Sequence, residues 1–470
     1  MEYRYQGRDL FAEPEGYNFA DCAADAFLEG WKVHRSAARA ALLERAAVTD
    51  SGSVQDTLSN DGVVASGPEA EASSLETLLM EIRRALAFGP GSLDFERSCD
   101  ILNKLVSKFE VFRRLFSHYD GNIKRTPGAV PATTGPYVLF AETLVDYIAK
   151  CGEARVLSTL LKLIDAILSR GRDGLSVQES KRLVRVLETE AAFVESWEST
   201  VANSQPSAMC AASRRRVGWK NTVTETQYSI GLIAAPTMRT RAYLQMFEWH
   251  GLRPATVFRC PGEEPDWQGG ATVTVPIRTV FAGNAPSLTG DYDFLFRPGE
   301  TIAETAARLE CDFVDLPSSD INSDDCSRAL AAGSASVIVY SGLPKVLLKP
   351  NLLANGKRYL HVHGGYLPEY RGATGFYFGL LEKGFLGNTA IWVDEGVDTG
   401  SVMARRWYRP EQGGDVDNVW DPVTRGDLLL DVLLTAEKTE RYPSLPEEAE
   451  RSLFYIIHPV LKHLALKRLG

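Results

Sequence analysis

The residues of this chain best suited to chemistry are gathered in Tyr359–Gly400, which reads YLHVHGGYLPEYRGATGFYFGLLEKGFLGNTAIWVDEGVDTG. It opens on a short apolar strand pattern carrying His361 and His363. Residues two apart in a strand share a face, so both imidazoles are expected on one side. A Gly364-Gly365 turn follows, then a loop through Tyr370-Arg371-Gly372 and an apolar helical stretch from Phe376 to Leu381. A second strand, Thr389–Val393, ends in an acidic turn holding Asp394, Glu395 and Asp398. Imidazoles move protons near neutral pH, and a carboxylate beside one raises its proton affinity. The strand ends of an α/β sheet are where such groups are usually put to use. Two histidines and a carboxylate could also ligate zinc or non-haem iron, so His361, His363 and Asp398 carry a metal-dependent alternative.

The run His-Val-His-Gly-Gly-Tyr-Leu-Pro-Glu-Tyr-Arg-Gly, followed by Val-Asp-Glu-Gly-Val-Asp-Thr-Gly, resembles the folate-dependent N-formyltransferases, whose pattern is roughly Asn-x-His-Pro-Ser-Leu-Leu-Pro-x-Tyr-Arg-Gly and then an acidic loop ending Asp-x-Gly. The family includes glycinamide ribonucleotide, methionyl-tRNA and sugar-amine formyltransferases. The resemblance spans about Tyr228 to Arg409, less than half of the chain. It implies a Rossmann-type α/β domain that moves a formyl group from 10-formyltetrahydrofolate to an amine; the scattered cysteines suggest reduced thiols in a cytoplasmic protein. The family's histidine falls on His363 and its aspartate on Asp398. Its asparagine, an oxyanion donor, falls on His361, and its proline falls on Gly364. A histidine can supply an oxyanion donor through an N–H. An altered protein that only binds folate or a partner is the other consequence such a change could have.

The resemblance also places the donor pocket. The loop Leu343, Pro344, Lys345, Val346 and Leu347, with Asp394 and Gly396 of the acidic turn, is expected to receive the folate. Arg239 and Arg241, in the loop after the first strand, become candidate contacts to an anionic part of the acceptor, and Tyr366 is a candidate to stack against the acceptor or the folate.

Around these residues the pattern is α/β. Tyr228–Ala234 reads as a buried strand, Pro236–Gly251 as a helix and Thr256–Phe258 as the next strand, which together make a parallel unit. No GxGxxG follows the first strand, so a dinucleotide site has no support. Residues 260–300 read as a Gly/Pro-rich excursion; Thr301–Leu309 and Ser323–Ala332 as helices; Asp312–Asp315 and Ser336–Tyr340 as strands.

The first 200 residues are different. Helical periodicity predicts an all-α domain of five to seven helices, with a flexible Ser/Gly/Asp-rich loop over 49–74 and no strand. Lys162, Arg170, Arg172, Lys181, Arg182 and Arg185 are expected on solvated faces. This half is a candidate surface for a homodimer or a partner protein. Residues 201–225 read as a linker, 226–412 as the α/β domain and 413–470 as a helical tail, with a short helix at Leu428–Leu434 and a break at Pro459. By the resemblance, the tRNA-specific members carry a small β-barrel after this domain, so a short helical tail argues against initiator tRNA; a small-molecule amine, such as an amino sugar, an amino acid or an amine of a specialised biosynthetic pathway, is the expected acceptor.

With 470 residues, 44% of them hydrophobic, the chain has material for two or three cores. A net charge of −10 disfavours nucleic acid as a partner. Seven cysteines without a CxxC pair point to reduced thiols. No apolar run is long enough for a membrane span, and the N-terminus lacks the pattern of a signal peptide.

Overall fold

The computed structural model describes residues 4–5, 8–9, 24–47, 68–87, 90, 92–119, 135–169, 175–203, 229–280, 291–343, 346–411, 413–449 and 452–469. Contacts divide the chain into two units: Met1–Ser204 with Tyr455–Lys467, and Gln205–Phe454 with Arg468–Gly470.

The first unit opens on a two-residue ladder, β1 (Arg4–Tyr5) against β2 (Arg8–Asp9), where the sequence offered no strand. Six helices follow: α1 (Ala24–Ala47), α2 (Pro68–Leu86), α3 (Leu93–Tyr119), α4 (Gly135–Cys151), α5 (Ala154–Ser169) and α6 (Val177–Asn203). Helix α2 begins inside the stretch expected to be a loop, because Pro-Glu-Ala-Glu-Ala puts proline in the first turn and good helix formers after it. The rest of that stretch, 49–67, lies outside the described residues. Ser176 and Glu179 cap α6 reciprocally, each side chain accepting the other's backbone N–H at 3.1 and 2.7 Å.

Helix α5 packs against α3, α4 and α6, and its residues from Ala154 to Asp165 are buried on every side. It therefore has no solvated face, and Lys162, expected in water, is buried. Arg182 is half-buried and ion-paired to Glu142 at 2.8 Å. Arg170 and Arg172 lie outside the described residues.

The second unit is an eight-stranded sheet. Its elements are, in order, β3 (Ile230–Ala234), α7 (Met238–His250), β4 (Thr256–Arg259), β5 (Val273–Ile277), β6 (Thr279–Val280), β7 (Tyr292–Phe296), α8 (Ile302–Arg308), β8 (Asp312–Asp315), α9 (Asp324–Ala332), β9 (Val337–Ser341), α10 (Pro350–Leu353), β10 (Arg358–His363), β11 (Arg371–Gly372), α11 (Gly375–Lys383), β12 (Leu386–Trp392), β13 (Val402–Tyr408), a π-turn at Val416–Trp420, α12 (Asp421–Thr439) and β14 (Leu453–Phe454). Strand order is β6-β13-β12-β10-β9-β3-β4-β8. The five strands from β10 to β8 run parallel, and β12, β13 and β6 extend them antiparallel. The chain runs outward from β3 through β4 and β8, then returns to β9 on the other side of β3. This reversal makes β3/β9 the switch point, the crevice where α/β sheets hold ligands.

The expected Gly/Pro-rich excursion contains a hairpin-like antiparallel pair, β5 with β7. The helix expected at Leu428–Leu434 is one part of the 19-residue α12. Asp427, fully buried, accepts from Tyr408 Oη at 2.8 Å, Tyr292 Oη at 3.0 Å and Arg406 Nη1 at 3.2 Å. Arg406 also donates to Asp431 at 2.6 Å. These bonds pin α12 to β13 and β7.

The expected tail is divided. Its α12 belongs with the sheet, while the last helix, α13 (Pro459–Lys467), belongs to the helical unit and packs on α1 and α6. Pro459 starts this helix instead of breaking it. The N–H of His458 donates to Ser158 Oγ at 2.8 Å, and its Nε2 lies 2.7 Å from Asp165. Arg35 joins Asp165 at 2.7 Å and Glu190 at 2.8 Å. No helix among the described residues is long and apolar enough to cross a membrane.

Glu190 is wholly buried, and burial, opposed by Arg35 and reinforced by Asp165, pushes its carboxyl up to about 7. A carboxyl with a raised folded-state pKa stabilises the fold below its unfolded value, near 4.3, and that stability is lost as pH rises through about 7. Helix melting followed by circular dichroism should therefore weaken between pH 5 and 8 by roughly 3 kcal/mol at most. Glu190→Gln should flatten the dependence; equal slopes in both proteins would show that Glu190 does not titrate in this way.

Candidate active site

Three parallel strands end side by side at the crevice: β3 at Ala234, β9 at Ser341 and β10 at His363. Ala235 N donates to Ser341 O at 2.9 Å, and Thr240 Oγ1 donates to Ala235 O at 2.6 Å. Thr237 caps α7 by accepting from Thr240 N, and Gly251, at φ +71°, closes its other end. The first loop and the start of α7 are thus fixed to the end of β9.

The turn after β10 is held by Thr389 of β12, which accepts from Leu367 N at 2.9 Å and donates to Gly365 O at 2.8 Å. His363 is buried; its Nε2 lies 2.8 Å from Tyr370 O and its Nδ1 lies 3.3 Å from Asp398 Oδ1. A carbonyl oxygen only accepts, so Nε2 carries a proton. The acidic loop shapes itself around Asp394, whose Oδ1 accepts from Gly396 N at 3.0 Å and Thr399 Oγ1 at 2.8 Å. This turns Asp398 inward at φ +51°, where its Oδ2 also accepts from Gly372 N at 3.1 Å. Burial raises the Asp398 carboxyl, but His363, His361 and the Gly372 N–H together outweigh it and hold the group down to about 2.

His361 is half-buried, with Nδ1 at 2.9 Å from Tyr340 O. Enclosure and the cations Arg239 and Arg425 push its imidazole down to about 3, against the opposing pull of Tyr340 O and Asp398. Three of the four ring nitrogens of the two histidines therefore have internal partners. That is not a ligand set for a metal, and no group of three or more His, Cys, Asp or Glu among the described residues could hold one.

The other expected site residues are distributed unevenly. Arg239 lies in the crevice and donates to Ser341 Oγ at 3.3 Å and to Gly342 O; it forms no ion pair among the described residues. Arg241, expected beside it, is buried in an ion pair with Glu264 at 2.9 Å and donates to Pro298 O at 2.6 Å, so it braces the first loop from behind. Tyr366 is buried and stacked on Trp407, with ring centroids 4.6 Å apart, and serves packing. Leu343 and Val346 are half-buried against the core around Tyr340, and Tyr340 Oη donates to Val346 O at 3.0 Å. Leu347 is exposed. Pro344 and Lys345 lie outside the described residues.

Arg425 of α12 was not foreseen. It is buried, pairs with Asp421 at 2.7 Å and donates to Val362 O at 3.2 Å. A Cβ on Gly364 would overlap the Arg425 guanidinium and stand 2.9 Å from Asp421 Oδ1. Glycine after His363 is therefore the sequence signal for this arginine, since a proline there would fill the same space. Tyr243 of α7 has a buried hydroxyl without a hydrogen-bond partner among the described residues, and lies near Arg239, Arg425 and Asp421.

Part of this α/β unit is similar to known formyltransferases. Residues 296–411 match the family described as Formyl transferase. Curated relatives include the methionyl-tRNA formyltransferases of Desulfotalea psychrophila, 30% identical over 152 residues (32% of this chain and 43% of that protein), and of Synechococcus sp. strain JA-3-3Ab, 33% identical over 141 residues (29% and 41%). The chain thus spans less than half the length of these relatives. Among solved structures, phosphoribosylglycinamide formyltransferase from Streptococcus pneumoniae TIGR4 aligns at 18% identity with a TM-score of 0.31, covering 45% of this chain and 98% of that one. Glycinamide ribonucleotide transformylase 1 from Symbiobacterium toebii aligns at 16% with a TM-score of 0.32, covering 52% and 100%.

Gly364→Ala should force Arg425 off Asp421 and Val362. The expected cost is about 1–3 kcal/mol of stability, as for overpacking a filled site, read as a lower urea midpoint. Shortening the arginine as well, in Gly364→Ala/Arg425→Ala, should remove the steric part of that loss. A Gly364→Ala protein as stable as wild type would show that Gly364 is not reserved for the guanidinium.

Proposed function

We propose that the α/β unit is an N-formyltransferase that moves a formyl group from 10-formyltetrahydrofolate to the amine of a small-molecule acceptor. The observation that carries this reading is that His361 and His363 of β10 meet Asp398, from the loop after β12, 3.3 Å from His363 Nδ1, within the stretch that matches the formyl transferase family. The donor would lie along the apolar side chains of Leu343 and Val346, with the backbone of the Asp394–Gly396 turn available to its polar edge. The formyl carbon would then face the histidines. The amine attacks that carbon, the carbonyl oxygen gathers negative charge, and the positively charged surroundings favour it. Asp398, ionised through the physiological range, fixes the orientation of the His363 ring.

Arg239 supports a narrower reading of the acceptor. Its guanidinium meets only neutral oxygens among the described residues, and the buried Arg425 lies near it. An acceptor bearing a carboxylate or phosphate near its amine would supply the missing charge. The relatives named above act, by their names, on methionyl-tRNA. This chain shares less than half of their length, and its negative net charge favours a small acceptor over a nucleic acid.

Titration calorimetry with 5-formyltetrahydrofolate, a stable analogue of the donor, should give saturable binding that Val346→Trp weakens at least tenfold. Absence of binding would sink the folate reading. Asp398→Asn should keep that binding and lower formyl transfer by about 10²-fold, the scale of a lost acid–base partner.

A further inference from the structure

We infer that His361 is the proton carrier of this reaction, taking a proton on Nε2 from the attacking nitrogen and returning it to N10 of the folate, instead of donating an N–H to the oxyanion as an asparagine at its position would. The inference rests on the formyl-transfer reading above and deepens it.

The geometry fixes the tautomer. Nδ1 of His361 lies 2.9 Å from the carbonyl oxygen of Tyr340, which can only accept, so Nδ1 holds the proton of the neutral ring. Nε2 is then a bare lone pair. It has no hydrogen-bond partner among the described residues, on a side chain that is half-open to the crevice. A neutral ring in this tautomer has nothing to donate to an oxyanion. Enclosure, Arg239 of α7 and Arg425 of α12 oppose a second proton, while Tyr340 O of β9, which holds Nδ1, and Asp398 of the acidic loop favour one. His363 is not an alternative carrier in this arrangement, because Tyr370 O and Asp398 face its two nitrogens.

The step balances as follows. A neutral amine forms a bond to the formyl carbon, and the C=O π pair moves onto oxygen. The attacking nitrogen, now cationic, gives one proton to His361 Nε2. The oxygen pair returns, the C–N10 bond breaks with its electrons going to N10, and the imidazolium delivers the proton to N10. Formamide and tetrahydrofolate leave, and His361 is neutral again. N10 is an arylamine nitrogen and a poor base, so its departure calls for a strong acid. An imidazolium destabilised by two neighbouring arginines is such an acid. The same two cations, which act on the His361 ring, would also favour negative charge on the formyl oxygen beside it.

The full chain labelled with ¹⁵N-histidine, with and without 5-formyltetrahydrofolate, tests this. The His361 signals are assigned by their loss in His361→Asn. Nε2 is expected to be pyridine-like and Nδ1 protonated from pH 5 to 8. With hydroxylamine as the amine and 10-formyltetrahydrofolate as donor, His361→Asn is expected to turn over about 10²-fold more slowly at unchanged affinity for 5-formyltetrahydrofolate. A protonated Nε2, or an Asn variant as fast as wild type, would overturn the inference while folate binding left the formyl-transfer reading intact. A protein that binds no folate would overturn that reading, and this one with it.

Discussion

The ion pair between Arg425 and Asp421 governs how the chain can leave the histidine strand. Its guanidinium is buried, bonded to Val362 O, and seated where a side chain on residue 364 would otherwise go. A charge so enclosed is tolerable only with a partner and satisfied hydrogen bonds, and the surroundings supply both. Asp427 and Asp431 grip Arg406 and hold α12 in place, so Arg425 cannot simply swing away. The turn through Gly364-Gly365 is shaped to that arginine, and through the turn so are Tyr370 O and the orientation of His363.

This constraint joins two departures from the formyltransferase pattern that look independent in the sequence. Glycine for proline makes room for a cation. The cation, with Arg239, then makes a protonated imidazole costly at the neighbouring position, where histidine replaces asparagine. The two replacements are parts of one rearrangement of charge around the formyl carbon. In it the positive charge sits on guanidinium groups, which hold their protons, and the histidine is left free to exchange one.

Much of this was legible before any coordinates. The spacing of His361, His363 and Asp398 was specific enough to place three side chains correctly on β10 and on the loop after β12. The order of β3, α7, β4, α8, β8, α9 and β9 followed from short apolar runs and their turn residues, whereas β5, β6 and β7 lie in the stretch read as an excursion. Other features were hidden for physical reasons. Arg425 lies 63 residues from the carbonyl it binds, and no local period connects them; the only trace is the glycine that yields to it. Arg241 could not be told from Arg239, since two residues apart on a helix they point in different directions and only the position of Glu264 decides which one is consumed. Lys162 was misplaced because amphipathic patterning assumes a solvated face, whereas α5 is surrounded. The start of α2 at Pro68 reads as a loop because small, polar residues are common to both, and a proline suited to the first helical turn is the only sign of the helix.

The last helix has a consequence for how the protein is made. His458 meets Asp165 across 293 residues of sequence, and α13 completes the packing of α1 and α6. The α/β unit is therefore an insertion within the helical one. During synthesis α1, α5 and α6 leave the ribosome long before α13 does, and Asp165 and Arg35 must wait for His458 while the whole inserted sheet is translated. The α/β unit has nearly all its chain by then and can assemble first. The helical unit closes last, although its residues were synthesised first.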